Sequence, residues 1–245
     1  MRDARLIYLP LGGAGEIGMN CYVYGYGPHG AERLILVDLG VTFPNMDGTP
    51  GVDLILPDIT WLEGCADRLD AIFVTHAHED HIGALGHLWG RLRVPVYCRR
   101  FTANIARRKL EEAGWESQIV REVAPFPQMI QAAGMSIGFM PVTHSIPEAS
   151  GLVIDTPDGR VVHTGDFKLD RTPVLGEPYC EAAWRAIAAP GIKALICDST
   201  NVLSTHEGRS EAVIRPEIER LVAATEGMVA ATTFASNIAR LKTLI

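Results

Sequence analysis

Between Thr75 and Gly83 the sequence reads THAHEDHIG, which sets His76, His78, Asp80 and His81 within six positions. Imidazole and carboxylate are the usual donors to zinc, and to manganese where oxygen atoms share the site. The spacing suits that use. An apolar stretch, AIFVT, delivers the chain in extended form, so His76 and His78 point to the same side, because strand side chains alternate with period two. Asp80 and His81 follow one turn later, where the chain bends into a helix, and can face a second ion nearby. A solvated polar loop with incidental histidines would not call for four ligand-type residues directly behind a buried strand.

Two further polar residues stand at the ends of apolar runs. FMPVTHS delivers His144, and VVHTGDF delivers Asp166. Taken singly, the first reads as a core or loop histidine and the second as a turn residue. Joined to the cluster they complete a dinuclear set, with His76, His78 and His144 for one ion, Asp80 and His81 for the other, and Asp166 bridging. Two divalent ions about 3.5–4 Å apart can hold a hydroxide and clamp both oxygens of a displacement at phosphorus. The remaining histidines suit plainer roles. His163 reads as structural, His29 sits in a turn, His87 on a helix and His206 in a polar loop.

The elements that must position these groups are legible in outline. RLIYLPL, NCYVYGY and RLILVD read as three strands, followed by a proline-punctuated loop and the strand AIFVT. IGALGHLWGRL has helical apolar spacing, VPVYC reads as a strand, and TANIARRKLEEAG as a helix with Thr102 as N-cap and Gly114 as its stop. Then come MSIGFMPV, a hairpin GLVIDTPDGRVVHTG, and KALICD. From about Ser210 the pattern predicts a helix, EAVIRPEIERLVAATEG, a strand, MVAATT, and the opening of another helix. GGAGEIG spells a dinucleotide-binding fingerprint, and Asp38 stands where its acidic partner would. That motif needs a helix directly after the glycines. Here MNCYVYGYGPHG follows, which is strand-like, so a glycine turn between antiparallel strands accounts for the letters.

Composition narrows the field. The 245 residues, 47% hydrophobic and 21% charged, suit a globular protein with a real core. A net charge of −7 excludes a broadly basic surface, so any nucleic acid would be held by a local patch. Arg99, Arg100, Arg107, Arg108 and Lys109 could form one such patch, although charges on an exposed helix face are the commoner explanation. Ser236 and Asn237 in TTFASN suit either a phosphate contact or a helix cap. Five scattered cysteines with no CxxC pair read as reduced thiols, not as a disulfide frame. No run approaches membrane-spanning length, which makes the cytoplasm the expected location.

THAHEDHIGAL, VTHSIPEASGLVIDT and HTGDFKLDRTPV resemble the metallo-β-lactamase superfamily, and more narrowly its β-CASP branch and the ribonuclease J family. GGAGEIGMN, ILVDLGVTFP, GVDLILPDIT, CDSTN and TFASNIAR extend that resemblance, in order, along most of the chain. It implies a four-layer αββα sandwich of the α/β class, incomplete here. Residues 1–197 would form the N-terminal part of the metallo-β-lactamase domain, and 198–245 the start of a truncated β-CASP domain.

It further implies that His76, His78, Asp80, His81, His144 and Asp166 are metal ligands, that Asp38 braces the metal loop, and that Asp80 and Asp166 serve catalysis. Asp198 matches the acidic residue that orients a leaving-group histidine. The cofactors would be two divalent ions, zinc in the first place and manganese as the alternative. The activity implied is hydrolysis of RNA by an activated hydroxide, 5′-to-3′ and also internal, in a dimeric full-length protein. The family's last histidine ligand and leaving-group histidine have no counterpart, so the chain reads as the N-terminal part of a longer enzyme, with weakened binding of the second ion. A thioester or lactone hydrolase of the same fold, and a non-catalytic RNA-binding subunit, remain the competing readings.

Overall fold

The computed structural model describes residues 4–45, 47–206 and 208–245. Its first sheet runs β1 (Ala4–Gly12), β2 (Cys21–Pro28), β3 (Arg33–Val37), β4 (Leu69–Val74), β5 (Val96–Cys98) and β6 (Val120–Glu122), in that spatial order. β1 to β3 form an antiparallel meander, and β3 to β6 pair in parallel. Parallel neighbours need crossovers. These are supplied by α1 (Thr60–Glu63), α2 (Glu79–Ile82), α3 (Leu85–Leu92) and α4 (Arg100–Glu112). The second sheet has the order β11 (Ala194–Ile196), β10 (Gly159–His163), β9 (Ser150–Thr156), β8 (Met135–Pro141) and β7 (Met129–Ala132). Its helix is α5 (Glu181–Ala188), and α6 (Glu211–Ala223) and α7 (Ile238–Leu244) complete the chain.

Side-chain alternation turns these strands into layers. In β3, Leu34 and Leu36 pack toward the helices, while Ile35 and Val37 face the other sheet. β4 repeats the division, with Ile72 and Val74 on the helical side and Ala71 and Phe73 inside. From the opposite sheet Ile137, Phe139, Leu152 and Ile154 meet them, and Met140 and Val153 turn outward to Ile187 of α5. Helix, sheet, sheet and helix therefore stack as the resemblance implied. Both faces of the central strands are buried, which is why they read as continuous apolar runs.

The glycine-rich segment is a turn. Gly13, Gly15 and Gly18 take left-handed φ of 78°, 79° and 94° between the paired strands β1 and β2, and no helix follows them. The helix stop at Gly114 is as expected. Its N–H donates to the Glu111 carbonyl and that of Trp115 to Leu110, with Gly114 at φ 79°, the usual left-handed helix end.

Two expectations need correction, and two strands went unanticipated. Thr102 lies inside α4, because the helix begins two residues earlier behind Arg99, and its hydroxyl is buried without a partner. MVAATT forms no strand. Strand propensity is realised only beside a partner, and Met228 stands 95% exposed. Finally, β6 and β7 were not anticipated, being three and four residues long at sheet edges.

Candidate metal centre

The site is assembled where strands of both sheets end. β4 leads into His76, β3 into Asp38, β8 through Thr143 into His144, β10 through a Thr-Gly turn into Asp166, and β11 into Asp198. The backbone of the histidine loop is clamped from below. Asn20 N–H donates to the Asp80 carbonyl, Leu39 N–H to that of His81 and Val41 N–H to that of Glu79, at 2.9–3.0 Å. Gly40 lies so close that a Cβ there would stand 1.7 Å from the Asp80 carbonyl oxygen, which only glycine avoids.

Asp38 organises this cluster from behind. It is fully buried and holds a left-handed φ of 61°. Its Oδ1 accepts from Thr75 N–H at 2.7 Å, and its Oδ2 from the Thr75 hydroxyl at 2.9 Å and from His81 Nδ1 at 2.7 Å. Having given its hydrogen to Asp38, the Thr75 hydroxyl accepts from His76 Nδ1 at 3.0 Å. Both rings thus turn Nε2 inward, the arrangement by which carboxylates orient ligating histidines. The charges of Asp38 and Asp166 overcome the effect of burial and raise His81 well above the ordinary histidine range.

Inside, two groups of donors converge. His78 Nδ1 lies 3.1 Å from Nε2 of both His76 and His144. Asp166 turns Oδ2 toward His144 Nε2 at 3.7 Å and Oδ1 toward His81 Nε2 at 3.2 Å, while Asp80 Oδ2 lies 3.6 Å from that same nitrogen. The two sets, His76, His78, His144 and Asp166 on one side and Asp80, His81 and Asp166 on the other, each keep their donor atoms within 4.8 Å of one another.

The donor chemistry fits a cation. The inward nitrogens of His76 and His78 face each other at 3.1 Å, and the outer Nε2 of His78 lies 3.4 Å from the Ser145 hydroxyl. Burial, and then the neighbouring rings, lower His76 well below its usual value and bring His144 down to about 4, so both rings are neutral at pH 7. Burial acts against the charge of Asp166, yet the hydrogen bond and charge of His81 hold it at about 2.

Every ligand position expected from the sequence joins one of these groups. Asp198 stands apart from them. It lines the same cleft of about 390 Å³ as Asp80, His81 and Asp166, and its Oδ1 accepts from Thr200 N–H. His163 is buried with Nδ1 at 2.9 Å from the Tyr24 hydroxyl, and His29, His87 and His206 are exposed. The basic stretch is largely paired with Glu148, Glu122, Glu112 and Glu79 through Arg99, Arg107, Arg108 and Lys109. Asn237 caps α7, accepting from Arg240 N–H. Sequence reading passed over Thr75 and Asn20. For Thr75 the signal was period two, which points the residue before a ligating histidine to the opposite side of the strand.

The family model of the metallo-beta-lactamase superfamily matches residues 14–222. Ribonuclease J of Sinorhizobium meliloti is 46% identical over 245 residues, covering 99% of this chain and 43% of that protein. Ribonuclease J of Thermus thermophilus is 38% identical over 244 residues, covering 97% of this chain and 42% of that protein. The chain thus spans less than half the length of these relatives. A solved structure of a protein of unknown function from Enterococcus faecalis V583 superposes with a TM-score of 0.65 at 17% identity, over 98% of this chain and 62% of that one, which supports the fold alone. With a family model matched across most of its length and the four layers that fold requires, the chain belongs to the metallo-β-lactamase superfamily.

Proposed function

We propose that this chain carries the metal-binding half of a ribonuclease of the ribonuclease J kind. The observation that carries the reading is the split carboxylate of Asp166, one oxygen toward the His76, His78 and His144 group and the other toward Asp80 and His81. Two divalent ions so held, zinc first and manganese as the alternative, would supply water activated near neutral pH and positive charge for the phosphoryl oxygens of an RNA phosphodiester. The chain's own residues do the rest. Asp38 and Thr75 turn Nε2 of His81 and His76 inward, Asp80 and Asp166 carry the negative charge that balances the ions, and Asp198 lies at the cleft wall to orient a proton donor. The second group has three protein donors against four in the first, so its ion should bind more weakly.

Residues 1–197 make up the metallo-β-lactamase part in this reading, and 198–245 open a β-CASP region. RNA as substrate, 5′-to-3′ and internal cleavage, and a homodimer are properties we extend from the similarity to the ribonuclease J proteins. The five cysteines are free thiols, as a reducing cytoplasm would leave them, and no helix of the described residues is long and apolar enough to cross a membrane. The test is a substrate panel on the full-length protein, comparing 5′-phosphorylated RNA with thioesters and lactones. Turnover of RNA that is lost on Asp166→Ala supports the proposal. Ester turnover with intact RNA would overturn it, and RNA binding without cleavage would favour a non-catalytic subunit.

A further inference from the structure

The glycine turn that imitates a nucleotide fingerprint leads directly to the weaker of the two donor groups. Asn20, at its end, is half-buried, and its carboxamide nitrogen contacts three atoms of that group. Nδ2 donates to the Asp80 backbone carbonyl at 3.0 Å, and it stands 3.0 Å from His81 Nε2 and 3.5 Å from Asp80 Oδ2. The carboxamide oxygen accepts from the Tyr22 hydroxyl at 2.7 Å, which fixes the flip of the amide so that the nitrogen faces the ligands. Behind this pair lies Gly13 at φ 78°. A Cβ there would stand 2.3 Å from the Tyr22 hydroxyl and 2.6 Å from Asn20 Oδ1. The first glycine of the motif is required by this contact, with no phosphate involved.

We propose that Asn20, held by Tyr22 and by the glycine turn, is a positioning residue for the ion of the Asp80, His81 and Asp166 group. The inference rests on the two-ion reading given above. The main chain of Asn20 already clamps the loop, donating to the Asp80 carbonyl and accepting from Gly40 N–H, both at 2.9 Å. Its side chain is therefore free for a second task, which is to hold the Asp80 carboxylate and the His81 ring in mutual register before the ion arrives. Replacing it with alanine leaves the clamp in place and releases the two ligands. Partners of this kind, which touch ligands and not the metal, typically set affinity by about 10- to 100-fold.

The experiment is a titration of the metal-free chain with zinc, followed by calorimetry and by native mass spectrometry at saturation, for the parent, Asn20→Ala, Tyr22→Phe and the double variant. The expected result for Asn20→Ala is a fall of about 10- to 100-fold in affinity for the weaker ion, with the tighter ion changed by less than about threefold. Tyr22→Phe, which deletes one hydroxyl and leaves the ring in place, should shift the same ion by a smaller factor. The double variant should match Asn20→Ala alone, because Tyr22 acts through Asn20.

A merely structural role would weaken both ions together and lower the melting temperature of the metal-free chain, and that result overturns the inference. So does unchanged or tighter binding of the second ion, which would make the amide a competitor of the metal. If the parent itself binds fewer than two ions at saturation, the two-ion reading fails first and the role of Asn20 falls with it. Two ions in the parent and in Asn20→Ala at equal affinity would refute the role of Asn20 alone.

Discussion

Asp38 touches no substrate and, in the proposed reading, no metal, yet the geometry makes it the residue whose replacement is most informative. Two changes separate its duties. Asp38→Ala strips the acceptor from Thr75 N–H, from the Thr75 hydroxyl and from His81 Nδ1, all in the fully buried interior. The hydroxyl can rotate elsewhere, but the other two donors are fixed, and each buried orphan costs about 1–3 kcal/mol. Alanine at the left-handed φ of 61° adds about 1 kcal/mol. The loss is about 3–7 kcal/mol, against a total of about 5–15 for a natural domain, so this variant should be only marginally folded.

Asp38→Asn behaves differently. Asparagine tolerates the left-handed backbone, and its oxygen keeps the bond to Thr75 N–H. The amide nitrogen then sits where Oδ2 accepted, and it donates to His81 Nδ1. His81 then keeps its proton on Nε2, the nitrogen an ion would need, whereas in the parent Asp38 holds a proton on Nδ1 and Nε2 can be freed for the ion. The fold should survive with a loss of about 1–2 kcal/mol, an ordinary hydrogen-bond substitution, while metal affinity falls by about 10- to 100-fold. Urea unfolding of the metal-free variants and zinc calorimetry measure the two effects separately. Metal binding by Asp38→Asn as tight as the parent's would refute the tautomer argument.

Other outcomes follow from particular contacts. Gly40→Ala places a methyl group against the Asp80 carbonyl, so it should cost more than about 3 kcal/mol, beyond ordinary overpacking, and lower the melting point by about 6–12 °C in a calorimetric scan. Thr102→Val removes a buried hydroxyl without a partner and keeps the shape. A gain of about 1 kcal/mol in a urea titration is expected, and a loss would mean that the hydroxyl has an acceptor. His163 is held neutral by burial, with its pKa lowered to about 4 against about 6.5 in the unfolded chain. Its contribution is intact above pH 6.5 and is lost as the pH falls toward 4, because the unfolded chain takes up the proton first. The full loss is about 3 kcal/mol. His163→Asn should flatten the pH dependence of unfolding between pH 7 and 5, and an unchanged slope would contradict it.

Much of this architecture was legible because the residues that matter sit at strand ends. Apolar runs such as AIFVT and RLILVD announce doubly buried strands, and a polar residue directly after such a run has few reasons to be there. His144 and Asp166 were found in that way, and the turn at GGAGEIG was separated from a nucleotide loop by the strand-like letters behind it. What escaped depends on contacts between distant segments. Asn20 meets His81 across 61 positions, and no local pattern announces that contact. The pairing of Lys109 with Glu79 and of Arg107 with Glu122 is equally non-local, so a run of basic residues read as a candidate patch. MVAATT shows the reverse failure, since β-branched composition alone makes no strand where no neighbouring strand pairs with it.

The central claim is that Asp166 joins two ion sites through one carboxylate. Native mass spectrometry of the chain, saturated with zinc and separately with manganese, tests it most directly when Asp166→Ala is measured beside the parent. Two ions per parent chain, and fewer than two in the variant, are expected. One ion or none in the parent, or two ions retained without Asp166, would contradict the account.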